Sequence, residues 1–277
     1  MSKVYNTGET EEELRRKYNP DGSTLRKAQL RMVDMAVYLQ ETAKKLGIPC
    51  RLDGGNVLGA LRHGGFIPWD DDMDFVVAHQ DFKRLCRYLK DHPHPQYVLQ
   101  DNETDKGYYK EWAMLRDLKS HTVSHESHDS QDRRCFEAQK YNGLHIDIFP
   151  YEDHMIPWLQ RLAGKLSVNV NLKFAGVHPH MAQFSYEVLH HLLFPVFRLF
   201  GHLFGDKQSC MHSYGAWFYE HFPKAILLPH RTIEFEGHAF EGPANPERLC
   251  KIIYGDYLSL PPKDHRDRHK VDAIIEE

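Results

Sequence analysis

LDGGNVLGALRHGGFIPWDDDMDF, residues 52–75, is the stretch on which the reading of this chain turns. The residues just before it, Ile48-Pro49-Cys50-Arg51-Leu52, form a short apolar run that reads as a strand entering Asp53-Gly54-Gly55. Asn56 to Leu61 then continues as a helical turn. Paired glycines at a strand-to-helix junction leave backbone amides bare, so an anion can approach them at the positive end of the helix. Further along, Asp70 to Val77 reads DDDMDFVV. If that run is extended, Asp70, Asp72 and Asp74 share one face while Met73, Phe75 and Val77 point to the other. Two carboxylates about 4 Å apart at an effective dielectric of ~20 repel by about 4 kcal/mol, so converging acids need protons, partners or a cation. Hard oxygen donors suit Mg²⁺ or Mn²⁺, and Mg²⁺ is usually shared between protein carboxylates, water and substrate phosphate oxygens. A solvated acidic turn after Pro68-Trp69 is the plain alternative.

Outward from this stretch the pattern alternates between helix and strand. Residues 23–46 carry apolar positions at helical spacing, with Ser23 as a cap and Gly47 as a stop. Residues 80–90 read as a helix, 97–101 and 108–123 as strands, and Gly143 to Phe149 as a further strand carrying Asp147. From about 157 to 222 the pattern is helical and aromatic. Arg231 to Glu241 reads as a hairpin around Glu236-Gly237-His238, and a helix follows Asn245-Pro246. The expectation is an α/β (α+β) fold, a mixed sheet with flanking helices. Residues 1–155 form its catalytic core and 156–277 a mainly helical cap with a hairpin, packed as one unit with the core.

Composition narrows the function. In 277 residues, 41% are hydrophobic and 27% charged, ordinary globular usage, and a net charge of −4 offers no sequence-wide basic surface for nucleic acid. The five cysteines, Cys50, Cys86, Cys135, Cys210 and Cys250, are scattered and never paired as CxxC, which fits a reducing compartment better than a disulfide framework or zinc knuckle. The acidic start MSKVYNTGETEEEL lacks the apolar run of a signal peptide, so a cytoplasmic location is expected. Val188 to Phe204 is long enough to raise the question of a membrane span. Arg198 and Pro195 interrupt it, and it reads as a buried or surface-lying helix.

The run LDGGNVLGALRHGGFIPWDDDMDF closely resembles the signature of the LicD/fukutin family, and His145-Ile146-Asp147-Ile148-Phe149-Pro150 and Tyr254-Gly255-Asp256-Tyr257 with Leu260-Pro261-Pro262 resemble further segments of it. The resemblance implies a nucleotidyltransferase-type fold that transfers a phospho-alcohol, with phosphocholine first and ribitol phosphate another, from a CDP-linked donor to a sugar hydroxyl. The acceptor implied is a cell-surface glycan or lipid-linked saccharide, which leaves peripheral contact with the inner membrane face open. By motif, metal-binding acids map onto Asp70, Asp72 and Asp74, the third-strand acid onto Asp147, and the phosphate turn onto Gly54 and Gly55. Asn56 departs from the Ser or Thr common after the glycines, and its amide is expected to replace a hydroxyl contact to phosphate. Asp72, Asp74 and Asp147 are the expected catalytic residues, Asp74 or Asp147 serving as base.

Other residues carry weaker signals. Arg62, His63 and Arg116 could each complement donor phosphate or simply hold local structure. Trp69 and Trp112 are candidate walls for a quaternary ammonium, with core packing as the alternative. His121, His125 and His128 are spaced i, i+4, i+7 as helical zinc ligands would be, but their polar setting argues for a loop. The charged tail Lys263 to Lys270 could close over an anionic substrate or lie in solvent. Competing readings are a glycosyltransferase or nucleotidyltransferase using the same acids and metal, and a nucleotide-binding protein without turnover.

Overall fold

Strands drawn from almost the whole chain meet in one mixed sheet. The computed structural model describes residues 3–123, 134, 136–266 and 272–276. Across the sheet the order is β3 (Tyr97–Gln100), β4 (Ala113–Asp117), β6 (His145–Asp153), β2 (Asp74–Ala78), β1 (Cys50–Leu52), β10 (His238–Gly242) and β9 (Arg231–Phe235). β2 runs parallel to β6, and β1 parallel to β10; the other neighbours are antiparallel. The far end of β6 also pairs with β7 (Ser209–His212), which pairs in turn with β8 (His221–Pro223). A separate ribbon joins β5 (Ser120–Val123) to β11 (Asp272–Ile275).

Helices cover the sheet. α1 (Glu11–Tyr18) starts on a capping box between Thr10 and Glu13. α2 (Thr24–Lys45) starts where the Ser23 side chain accepts the Arg26 amide, and it ends before Gly47, whose φ of 64° breaks the helical path. Its buried stripe, with Met32, Ala36, Leu39 and Ala43, packs on Leu52, Phe75, Val77, Ile146 and Ile148 of the sheet, so the expected alternation along Asp70 to Val77 holds for the inward residues. α3 (Gly54–His63) and α4 (His79–Asp91) flank the same core. A second apolar cluster lies beneath α5 (Pro157–Asn169), α6 (Pro179–Val188) and α7 (Phe194–Phe204). Pro195 has no N–H to offer the carbonyl of His191, and the chain widens into a π-helical turn over Leu189–Leu193 before α7. α8 (Lys224–Leu227) and α9 (Pro246–Tyr254) complete the set.

Two expectations need correction. Residues 108–123 are not one strand, because Asn102 donates to the Tyr108 carbonyl and the Tyr108 hydroxyl to the Trp112 carbonyl, each at 2.8 Å, giving those groups partners outside a ladder. The helical region ends at Phe204 rather than 222. Gly205 takes an extended conformation against the His154 carbonyl, Asp206 caps a turn by accepting from the Gln208 amide, and β7 and β8 follow. The sheet takes β7, β8, β9 and β10 from beyond residue 155. His121 lies in β5, not on a helix, while His125, His128, Cys135 and Asp267 to Lys270 lie outside the described residues. Cys50, Cys86, Cys210 and Cys250 are buried free thiols.

Candidate active site

Asp70, Asp72 and Asp74 do converge, although only Asp74 lies in a strand. All three line a cavity of ≈ 360 Å³, with Asp53, Gly54 and Gly55 on the facing wall. The closeness is set by the glycines. A Cβ on Gly55 would stand 3.1 Å from Asp70 Oδ2, and one on Gly54, which has φ +50°, would stand 3.4 Å from Asp74 Oδ2. The bare start of α3 thus faces the acids, as the strand, glycine turn and helix order implied.

Backbone and side-chain bonds hold this geometry. Asn56 is buried and its Oδ1 accepts the Asp74 amide at 2.6 Å, while the Asp53 amide donates to the Asp74 carbonyl at 3.1 Å. Asp70 is tethered from α2, where Gln29 Nε2 donates to its carbonyl at 2.8 Å and Asn19 in turn donates to Gln29. Asp147 stands directly across from Asp74 in the parallel β2/β6 register, its amide bonded to the Met73 carbonyl at 2.8 Å. It lies beside the cavity rather than on its lining.

Charge is crowded here. Burial first, then the Asp72 and Asp71 charges, push Asp70 well above the ordinary carboxylate range. Asp74 is also pushed well up, by burial and then by Asp72, Asp147, Asp53 and Asp70. Burial raises Asp147 to about 6 against the opposing pull of Lys110 and Arg116. Its Oδ1 is buried, lies 4.0 Å from His145 Nε2, and meets no hydrogen-bond donor at bonding geometry among the described residues. Asp53 behaves oppositely: burial would raise it, but the His212 imidazole, 3.1 Å away, and the Arg51 charge together hold it below the ordinary range. Among the described residues no three His, Cys, Asp or Glu side chains form a ready metal cage. Mg²⁺ commonly needs only one or two protein carboxylates alongside water and phosphate oxygens. The crowded acids, with the buried Asp147 carboxylate beside them, fit such an ion chemically.

The remaining residues singled out in the sequence find other partners. Arg62 is buried, with Nη1 donating to the Tyr257 and Ser259 carbonyls and Nε to His63 Nε2 at 2.9 Å. His63 therefore carries its proton on Nδ1, which sits 2.6 Å from Glu11 Oε2, and burial lowers its pKa, so it is a neutral donor within the protein. Arg116 is spent on Gln100, Gln139 and the Gly143 carbonyl, and its Nη1 lies 3.0 Å from His145 Nδ1. None of the three lines the cavity. Asn56 likewise serves the backbone of the acidic segment instead of facing outward. Trp69 packs with Tyr18 and His63 beneath Arg266, and Trp112 packs with Phe149 and Trp217. In the charged tail, Arg266 is fully buried on Glu9 and the Pro261 carbonyl, which makes it structural.

Several lining residues were not nominated from the sequence: Asp53, Phe149, His212, Phe218, Glu220 and Tyr254. Tyr254 lay within a noted motif and Asp53 within the opening stretch. His212, Phe218 and Glu220 arrive through β7 and the turn to β8, whose few residues carry no periodic signal.

The family described as LicD/FKTN/FKRP, nucleotidyltransferase domain, matches residues 47–194, a span holding both glycines and all four mapped acids. The Lipopolysaccharide cholinephosphotransferase LicD of Haemophilus influenzae is 25% identical over 274 residues, covering 91% of this chain and 98% of that relative. The Ribitol 5-phosphate transferase FKRP of Homo sapiens is 27% identical over 118 residues, which is 43% of this chain and 20% of that relative.

Proposed function

Because this chain belongs to the LicD/FKTN/FKRP nucleotidyltransferase-domain family, we propose that it transfers phosphocholine from CDP-choline to a sugar hydroxyl of a cell-surface glycan such as lipopolysaccharide. The chain is a phosphotransferase; the donor, the transferred alcohol and the acceptor are the parts proposed. The single observation that carries the reading is the convergence of Asp70, Asp72 and Asp74 on one cavity, opposite the amides of Gly54 and Gly55. A diphosphate donor needs both halves of that arrangement: donors for its oxygens and acids for a bridging cation.

Asp70, Asp72 and Asp74, with Asp147 beside them, would hold Mg²⁺ or Mn²⁺. When bound, such an ion supplies charge neutralisation for the donor diphosphate and for the departing nucleotide. The acceptor oxygen forms a bond to the phosphorus bearing choline as that phosphorus loses its bond to CMP. The acceptor proton would pass to a carboxylate, Asp74 or Asp147, acting as general base. Phosphocholine is favoured over ribitol phosphate on two grounds. The relative matched along nearly its full length is a cholinephosphotransferase, and the cavity is lined by Phe149, Phe218, Phe222 and Tyr254, aromatic side chains of the kind that attract a quaternary ammonium.

Thermal denaturation with Mg²⁺ and a panel of CDP-choline, CDP-ribitol, CDP-glycerol, CDP-ethanolamine and nucleotide sugars tests the donor, since a ligand selective for the folded state raises its midpoint. CDP-choline should give the largest shift, and Asp72→Asn or Asp74→Asn should abolish transfer while the protein stays folded. A larger shift with a nucleotide sugar, or full activity in either variant, would refute the reading.

A further inference from the structure

The segment from 155 to 205 presents an outer surface that water does not suit. Along α7 and the turn before it, Leu192, Val196, Leu199, Phe200, Leu203 and Phe204 recur at i, i+4, i+7, i+8, i+11 and i+12, and all are exposed, Leu203 by 65% and Phe204 by 73%. The inner face, Phe194, Phe197 and Gly201, is apolar as well and packs on the cluster beneath. An ordinary surface helix turns a polar face to solvent, whereas α7 exposes a single polar side chain, His202, among its apolar ones and so calls for a second apolar neighbour. Arg198 is the one charged residue from 189 to 204, and it is committed to Glu152 at 2.8 Å.

Charge identifies the neighbour. The exposed face of α5 sets Arg161 and Lys165 among Trp158 and Leu162, cations interleaved with an aromatic and an aliphatic side chain at helical spacing. From 155 to 205 there are four Lys or Arg and one acid, Glu187, in a protein whose net charge is −4. No described helix is long and apolar enough to cross a membrane. Apolar side chains with flanking cations, on helices too short to span, are the signature of elements that lie in the plane of an anionic bilayer.

We propose that α5 and α7 dock this protein on an anionic lipid surface, the α7 face entering the headgroup boundary while Arg161 and Lys165 meet lipid phosphates. The inference rests on the proposed reaction only in that a lipid-linked glycan acceptor would be met at such a surface. The test is sedimentation of the full chain with vesicles of phosphatidylglycerol and phosphatidylethanolamine, against vesicles of phosphatidylcholine alone. The anionic vesicles should retain the protein more strongly, and Leu199→Gln with Leu203→Gln should weaken retention by about tenfold or more. Arg161→Gln with Lys165→Gln should remove the preference for anionic lipid and its sensitivity to salt. Unaltered retention in both double variants, or no retention of the unaltered chain, would overturn the proposal. So would a soluble dimer that Leu199→Gln with Leu203→Gln dissociates, since the face would then join two copies. Vesicle binding needs no turnover, so an inactive protein that still binds leaves this inference standing, and an active protein that does not bind leaves the reaction standing.

Discussion

Asp147 shows how a single side chain can oppose the fold that carries it. Its pKa in the folded protein is about 6, against 3.8 for an ordinary aspartate. The folded state therefore holds this proton more tightly than the unfolded chain, and the associated stability is present below about pH 4 and lost as pH rises through about 6. Asp147→Asn, which cannot ionise, should match the parent near pH 4 and exceed it at pH 7 by on the order of 2–3 kcal/mol. Urea denaturation in EDTA across that range measures the difference, and a difference independent of pH would contradict the burial assigned to this carboxyl. Added Mg²⁺ should shrink the advantage, because a bound cation stabilises the ionised parent. The same residue marks what the sequence discloses. Its alternation with Ile146 and Ile148 was legible, whereas its position opposite Asp74 depends on a parallel pairing between segments far apart in the chain.

Among the elements, α2 was the most readable, with its apolar spacing, Ser23 cap and Gly47 stop, while α3, expected as a helical turn over Asn56 to Leu61, runs from Gly54 to His63. The further glycines show how tightly it is set. A Cβ on Gly59 would meet the Gly65 carbonyl oxygen at 2.3 Å, and backbone cannot step aside as a side chain can. Gly59→Ala should cost about 2–3 kcal/mol and lower the thermal midpoint accordingly. Gly55→Ala, meeting only the Asp70 carboxylate at 3.1 Å, should leave the midpoint nearly unchanged and weaken donor binding. Calorimetry and a donor titration on the two variants separate these outcomes. β7 and β8 were not readable at all. They hold four and three residues after a long aromatic helical stretch, and only the pairing of β7 with the end of β6, and of β8 with β7, makes them strands. Of the residues missed in the cavity, His212, Phe218 and Glu220 came with them. Arg62 and His63 were visible as a motif, but their partners, Glu11 and the carbonyls of Tyr257 and Ser259, come from the two ends of the chain.

At the scale of the whole molecule those ends are fastened across the catalytic half. Glu11 feels burial, which raises its pKa, yet the hydrogen bonds from His63 and Tyr5 and the charge of Arg15 bring it down to about 2. A depressed carboxylate stabilises above its unfolded value near 4.5 and loses that contribution as pH falls through about 2. Glu11→Gln should thus cost about 2–3 kcal/mol at pH 7, with the gap to the parent narrowing between pH 4.5 and 2 in thermal melts. The pairing of β1 with β10 carries this dependence into biosynthesis. Arg51 of β1 lies opposite Glu241 of β10, so the strand that leads into the glycine turn borders a hairpin made much later. At about 5–20 residues per second, a ribosome leaves that strand without this neighbour for roughly 10–40 seconds. The nascent edge must be shielded by a chaperone or outpace its own aggregation, and a chain cut short before residue 231 would be withdrawn to inclusion bodies rather than accumulate as a half-built enzyme.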